Sequence, residues 1–180
     1  MKFVRYACAV WALMFCGMTV PVFAQAAGAT QPAPGVLKPE DLGKIVPGAV
    51  FFRGQSATTQ LRNSGGVRFS DGYLMFAVMV DNSGYSTGVQ EKYQAYFITE
   101  VSVTIGGHSL APGAYGVGIL RGTPPQFVVE DLGAHDLFQT AATNDAKLHR
   151  PVPLQVVAGE SAVKYRLYMG RNYVEFERGQ

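Results

Sequence analysis

Cysteine, tryptophan and net charge all disappear from this chain once its first 24 residues are set apart. Both cysteines, Cys8 and Cys16, and the one tryptophan, Trp11, lie in that segment. The rest of the chain, about 156 residues, has no thiol, which excludes disulfides, cysteine metal sites and a cysteine nucleophile. Two of the 15 basic residues, Lys2 and Arg5, and none of the 13 acidic ones lie in the same segment, so the remainder is neutral. A neutral chain lacks the clustered positive field that phosphate binding requires, and nucleic acid is not an expected partner.

The segment itself reads as a cleavable secretory signal. Lys2 and Arg5 form a basic start, an uncharged apolar stretch runs from Tyr6 to about Val20, and Pro21-Val22-Phe23-Ala24 ends it on a small residue. The stretch is roughly 15 residues, short of the about 20 needed to cross a bilayer, so no permanent membrane span is expected after cleavage following Ala24. Met14 and Phe15 precede Cys16 where a lipoprotein would have small residues. The protein is therefore expected in the periplasm or outside the cell. Residues 25–37, which begin QAAGATQPAPG, have no apolar period and read as a flexible leader, leaving 38–180 as one domain.

That domain reads as all-β. Pro39, Glu40 and Asp41 followed by Gly43 predict one short helical turn. Strands are expected at Ala49 to Phe52, Thr58 to Leu61 and Gly66 to Phe69, the last two separated by an Asn63-Ser64-Gly65 turn. Tyr73 to Val80 (YLMFAVMV) is apolar throughout between turn residues, the mark of a strand buried on both faces. Tyr93 to Ile105 alternates as one long strand, and Ala114 to Leu120 returns after the Pro112-Gly113 turn with Gly113, Gly116 and Gly118 leaving one side bare. Something must pack closely on that side, either other side chains or a ligand. Gln126 to Glu130 is a further strand, His135 to Thr143 a second short helix, Val152 to Val157 an edge strand, and Val163 to Arg178 a hairpin or bent strand about Gly170. About nine strands of this kind predict a single β-sandwich or strongly curved barrel.

Chemistry-bearing patterns are few. His108, His135 and His149 stand in no metalloprotease spacing. The run Glu130 to Asp136 is the densest polar cluster, and Asp131, His135 and Asp136 could serve a hydrolase, an isomerase or a divalent metal; the plainer alternative is a strand end with a capped turn. No metal or other cofactor is expected. Gly107-His108-Ser109-Leu110-Ala111 approximates a nucleophile elbow, but Pro112-Gly113 forbids the helix that must follow the serine. Glu175 and Glu177 share a face with Tyr173, as paired acids of glycosidases do, while Lys164 and Arg166 across the hairpin could simply pair with them. Tyr85, Tyr96, Tyr168 and Tyr173 fall on expected polar faces or loops, where such rings line glycan and peptide sites; packing of half-buried β surfaces is the competing role.

The segment TIGGHSLAPGAYGVGIL, with Gly107, Leu110, Pro112, Gly113 and Tyr115, and the terminal LYMGRNYVEF resemble hairpins of uncharacterised exported bacterial β-domain proteins. The resemblance implies an exported β fold and carries no catalytic residue. The leading expectation is a non-catalytic exported domain that binds a small molecule, a glycan or an envelope protein. An exported hydrolase or isomerase using the His/Asp or paired-Glu residues is the alternative, and an accessory module of an envelope assembly is a third.

Overall fold

The computed structural model describes residues 32–179, so the signal and most of the leader lie outside the described residues. The eight-residue apolar run of the sequence supplies a central strand, β4 (Leu74–Val80), flanked by β3 (Gln55–Arg68) and β5 (Ala95–Thr99). These belong to an eight-stranded antiparallel sheet completed by β1 (Gly35–Leu37), β8 (Gly113–Leu120), β9 (Gln126–Glu130) and β10 (Asp136–Ala141), in the order β1-β3-β4-β5-β8-β9-β10, with β2 (Ala49–Phe52) paired to the first part of β3. A six-stranded antiparallel sheet holds β12 (Gln155–Ala158), β13 (Lys164–Met169), β14 (Asn172–Arg178), β6 (Val103–Ile105) and β7 (His108–Leu110) in that order, with β11 (Thr143–Asn144) beside β14. Two short helices, α1 (Pro39–Leu42) and α2 (Thr87–Lys92), complete the described elements.

The two sheets pack face to face. Val67, Met75, Phe97, Val117 and Phe127 of the larger sheet meet Ile105, Leu167, Val174 and Phe176 of the smaller in one core, which makes the fold an all-β sandwich. The opposite face of the larger sheet carries a second core of Phe52, Val78, Val80, Tyr85, Val89, Tyr93 and Tyr96, roofed by β2 and α2. That two-sided cover explains the unbroken apolar run: Met75 and Ala77 point between the sheets, Val78 and Val80 toward the roof.

The bare side of β8 faces this roof. Phe52 and Tyr93 stack on each other with centroids 3.8 Å apart and lie over Gly116, where a Cβ would stand 2.5 Å from Phe52 Cε2. A Cβ at Gly118 would collide with the carbonyl oxygen of Lys92, at the end of α2. Side chains and a helix end, rather than a ligand, fill the space that the glycines leave.

Several sequence expectations are corrected. The 55–68 segment is one strand, and Leu61, Arg62 and Asn63 form a bulge between Gln60 and Ser64 in place of the expected turn. The alternation from Tyr93 to Ile105 belongs to two strands in different sheets; Val101, in the crossing, is itself buried, so the inward phase never lapses. His135 to Thr143 is not helical: Asp136–Ala141 pairs with β9 as an edge strand. The second helix is α2 instead, started at Ser86 and presenting Tyr85, Val89 and Tyr93, four residues apart, to the sheet. The folded unit also begins within the expected leader, because Gly35–Leu37 pairs with Gly66–Arg68. The hairpin about Gly170, which has φ +64, forms as β13 and β14.

Gly118→Ala is expected to lower stability by about 2 kcal/mol or more, since Lys92 would have to retreat from the sheet. Gly88→Ala, in open space on α2, should instead be neutral or stabilising by up to about 1 kcal/mol. Urea unfolding of the two variants checks this; equal losses would mean that α2 is not seated on Gly118.

Candidate functional site

The polar run Glu130 to Asp136 divides into two unlike parts. Asp131 Oδ1 accepts the backbone N–H groups of Gly133 (2.8 Å) and His135 (3.0 Å), and this turn sets Ala134 at φ +66. His135 Nδ1 lies 2.9 Å from Asp131 Oδ2 with its side chain 79 % exposed. These donors hold the Asp131 carboxyl below its ordinary range, the backbone N–H of His135 first among them. Asp131 and His135 thus build a surface turn.

Asp136 points elsewhere. Lys92 Nζ reaches both of its oxygens at 2.6 and 2.7 Å, so an ammonium already sits beside the carboxylate that the sequence offered as one candidate for a metal or a catalytic histidine. Among the described residues no three His, Cys, Asp or Glu side chains are placed to hold a metal ion. The partner that sequence reading left out of the site is Glu130. In the register Tyr96–Gly116–Glu130–Asp136, running across β5, β8, β9 and β10, Glu130 faces the roof and is 2 % exposed. Its Oε2 has no donor in reach among the described residues, and burial, followed by the Asp136 charge and hydrogen bond opposing Lys92, pushes its carboxyl up to about 7. The Asp136 carboxyl is held low, chiefly by the hydrogen bond from Lys92. Burial thus favours the protonated form of Glu130, and the neighbouring Asp136 remains the ionised partner of Lys92. The visible signal for this group was phase: Glu130 shares an inward face with Val128, which is fully buried.

A raised carboxyl is a common mark of catalysis; this one is buried beneath the roof and lines none of the three concavities described below.

The terminal hairpin brings its charges together as partners. Glu175 stands opposite Arg166 and Glu177 opposite Lys164. Arg166 donates to Glu175 at 3.0 Å and to Glu160 at 2.9 Å, and its guanidinium lies 4.7 Å from the centroid of the Tyr173 ring. A recess of about 140 Å³ borders both glutamates, close to the space of a few waters. Ser109, at the position of the imperfect elbow, lies in β7 with no helix after it.

The tyrosines are placed differently from expectation. Tyr85, Tyr96 and Tyr168 are buried rather than displayed on polar faces. The Tyr85 hydroxyl shares its proton between the carbonyls of Phe52 and Gln55, 3.0 Å from each, and Tyr168 donates to Asp145 at 3.0 Å. Only Tyr173 is partly open, beneath Arg166. Tyr85 and Tyr96 belong to the second core, while Tyr168 is buried outside both cores against Tyr173, 4.9 Å between ring centroids.

Two concavities exceed the recess. One, of about 660 Å³, lies beside α2 along Thr87, Gln90, Glu91, Gln94 and Arg121; Gln90 and Gln94 are engaged there with the carbonyls of Tyr85, Glu91 and Ile119. The other, of about 520 Å³, is a groove where the β1 edge and the β3 bulge of the large sheet face the β12 edge of the small one. Val36, Leu37, Val152, Leu154 and Val156 give it apolar walls, and Lys38 and Arg62 are among its polar lining residues. Its volume and its apolar walls with few polar groups are those of small-molecule sites. Nothing in the sequence pointed to it, because it is built by residues more than a hundred positions apart and by a bulge that reads as a turn.

The class defined by these features is an all-β sandwich of two antiparallel sheets with one face roofed by a helix. Comparison with protein-family models, with curated proteins and with solved structures found no match. Among the described residues no helix is long and apolar enough to cross a membrane.

Glu130 carries a pH test. Its folded carboxyl titrates above its unfolded value of 4.5, so the folded state holds the extra proton between those limits. Stability from this group is complete below pH 4.5 and is lost as pH rises through about 7. Glu130→Gln, which keeps a neutral donor in place, should flatten the fall by roughly 2–3 kcal/mol when urea unfolding is compared at pH 5 and pH 8. An unchanged slope would show that Glu130 is not the titrating group.

Proposed function

We propose that this is an exported binding domain of the periplasm or cell exterior, and that it takes a small molecule in the groove between the β1 and β12 edges. One observation carries the reading: of the three concavities described, this one has the most apolar lining, walled by Val36, Leu37, Val152, Leu154 and Val156. Small molecule is preferred to glycan because no aromatic ring on which a sugar could stack lines this groove. Export rests on the basic start, the short apolar stretch and the Ala24 ending of the sequence. The reading is non-catalytic: Asp131 and His135 support a turn, Asp136 is held by Lys92, and Glu175 is held by Arg166.

Binding of a neutral apolar fluorophore, N-phenyl-1-naphthylamine, is the test. Saturable binding is expected, and Ala158→Trp, an exposed position on the groove wall, should weaken it about tenfold without loss of folded structure. Absence of saturable binding, or binding indifferent to Ala158→Trp, sinks the groove as a site. Capture of a glycan from an array by the same variant would replace small molecule with sugar at another surface.

A further inference from the structure

We infer that the groove takes a free acyl chain ending in a carboxylate, with the chain along the apolar walls and the head at Arg62 and Lys38. This deepens the reading above and rests on it. The lining contains two cations and no acidic side chain, in a chain whose residues after the signal sum to zero charge. Among the described residues the salt bridges join Lys92, His135, Arg166 and Arg178 to acids, and neither Arg62 nor Lys38 takes part. Of the two acids on α1, Asp41 accepts the main-chain N–H of Lys38 at 2.9 Å and so serves the helix start, and Glu40 takes part in none of the salt bridges among the described residues.

The position of Arg62 is built rather than accidental. It sits at the middle of the three-residue bulge of β3, and the bulge is fastened on both sides. Ser64, only 2 % exposed, donates to the Leu61 carbonyl at 2.6 Å, and Asn63 donates to Gln60 at 2.9 Å. Bulges re-aim side chains, and this one sets an arginine at the lining of the groove when an unbroken strand would have kept the pleat. Gly65, next along, lets β3 approach β12 so closely that a Cβ would be 2.7 Å from Val156 N, which closes the groove floor with backbone. An apolar trough bordered by an arginine fork and an ammonium matches a ligand that is apolar along its length and anionic at one end.

Displacement of the neutral fluorophore by dodecanoate, dodecanol and dodecyltrimethylammonium, each below its micelle-forming concentration at neutral pH, tests the assignment. Dodecanoate is expected to compete about tenfold better than dodecanol, and the cation less well than either. Arg62→Ala with Lys38→Ala should abolish the preference for dodecanoate and leave dodecanol unchanged; both positions are exposed, and added salt should shrink the same preference in the unaltered protein. Equal competition by dodecanoate and dodecanol, or a preference that survives the double substitution, overturns the anion assignment and leaves the groove standing as an apolar site. Fluorophore binding indifferent to Ala158→Trp overturns both. Binding to phosphatidylglycerol vesicles that free dodecanoate does not reduce would overturn the free ligand in favour of a membrane surface.

Discussion

The structure depends on the contact of two stacked rings and a helix end with a strip of glycine backbone. The large sheet has to be dry on both faces, because its central strand is apolar on both, and the smaller sheet can cover only one. On the other face the cover is small: a four-residue strand and a six-residue helix. So slight a roof can exclude water only by lying directly on the sheet. Gly116 admits the Phe52–Tyr93 stack, and Gly118 admits the Lys92 carbonyl. Tyr85 closes the cluster edge-on to Tyr93, 5.4 Å between centroids, and its hydroxyl ties the roof to the β2–β3 turn. Aromatic pairs of this kind contribute about 0.5–1.5 kcal/mol each beyond their buried area.

The polar groups under and beside the roof are set by that contact. Seating α2 on Gly118 brings Lys92 to the sheet edge, where it pairs with Asp136. The same closure removes water from Glu130, one strand in from the edge, and leaves it the choice between a costly buried charge and a proton. Below about pH 7 the proton is favoured, and the Lys92 ammonium is paired with Asp136 alone. The densest cluster of ionisable groups in the sequence is thus a fastening of the edge strand to the helix.

Legibility in the sequence followed the physics of each element. β2 and β9 were readable to the residue, as was the short helix behind Pro39, because each is decided by local turn and pattern chemistry. The all-β class was readable for the same reason, while the choice between sandwich and curved barrel waited on how the two sheets pack. The crossing from β5 to β6 was not, since alternation reports only which residues face inward and Val101 keeps the phase through the corner. The 136–141 strand was mistaken for a helix because Leu137, Phe138 and Ala141 fit a helical period; at a sheet edge pairing with β9 decides, and Leu137 is left about half exposed. For the site the limits were stricter. Sequence marked the Asp131 to Asp136 run but could not divide it, and it placed tyrosines by pattern on faces that a second core covers. Arg62 carried no signal, since its direction depends on three residues stepping out of register.

The two edges that border the groove also bear on what occupies it. An open strand edge is a template for another strand, and a peptide added between β1 and β12 would be the obvious alternative to a small ligand. Both edges are blunted. β1 is three residues long and runs through Lys38 into Pro39 and α1; β12 is four residues long and comes after Pro151 and Pro153. Three or four residues offer too short a ladder to hold an added strand, and the prolines remove donors at its entry. With main-chain pairing curtailed at each end, what the groove can still supply is apolar wall and unengaged positive charge. Those are the two properties an amphipathic anion uses and a peptide backbone does not.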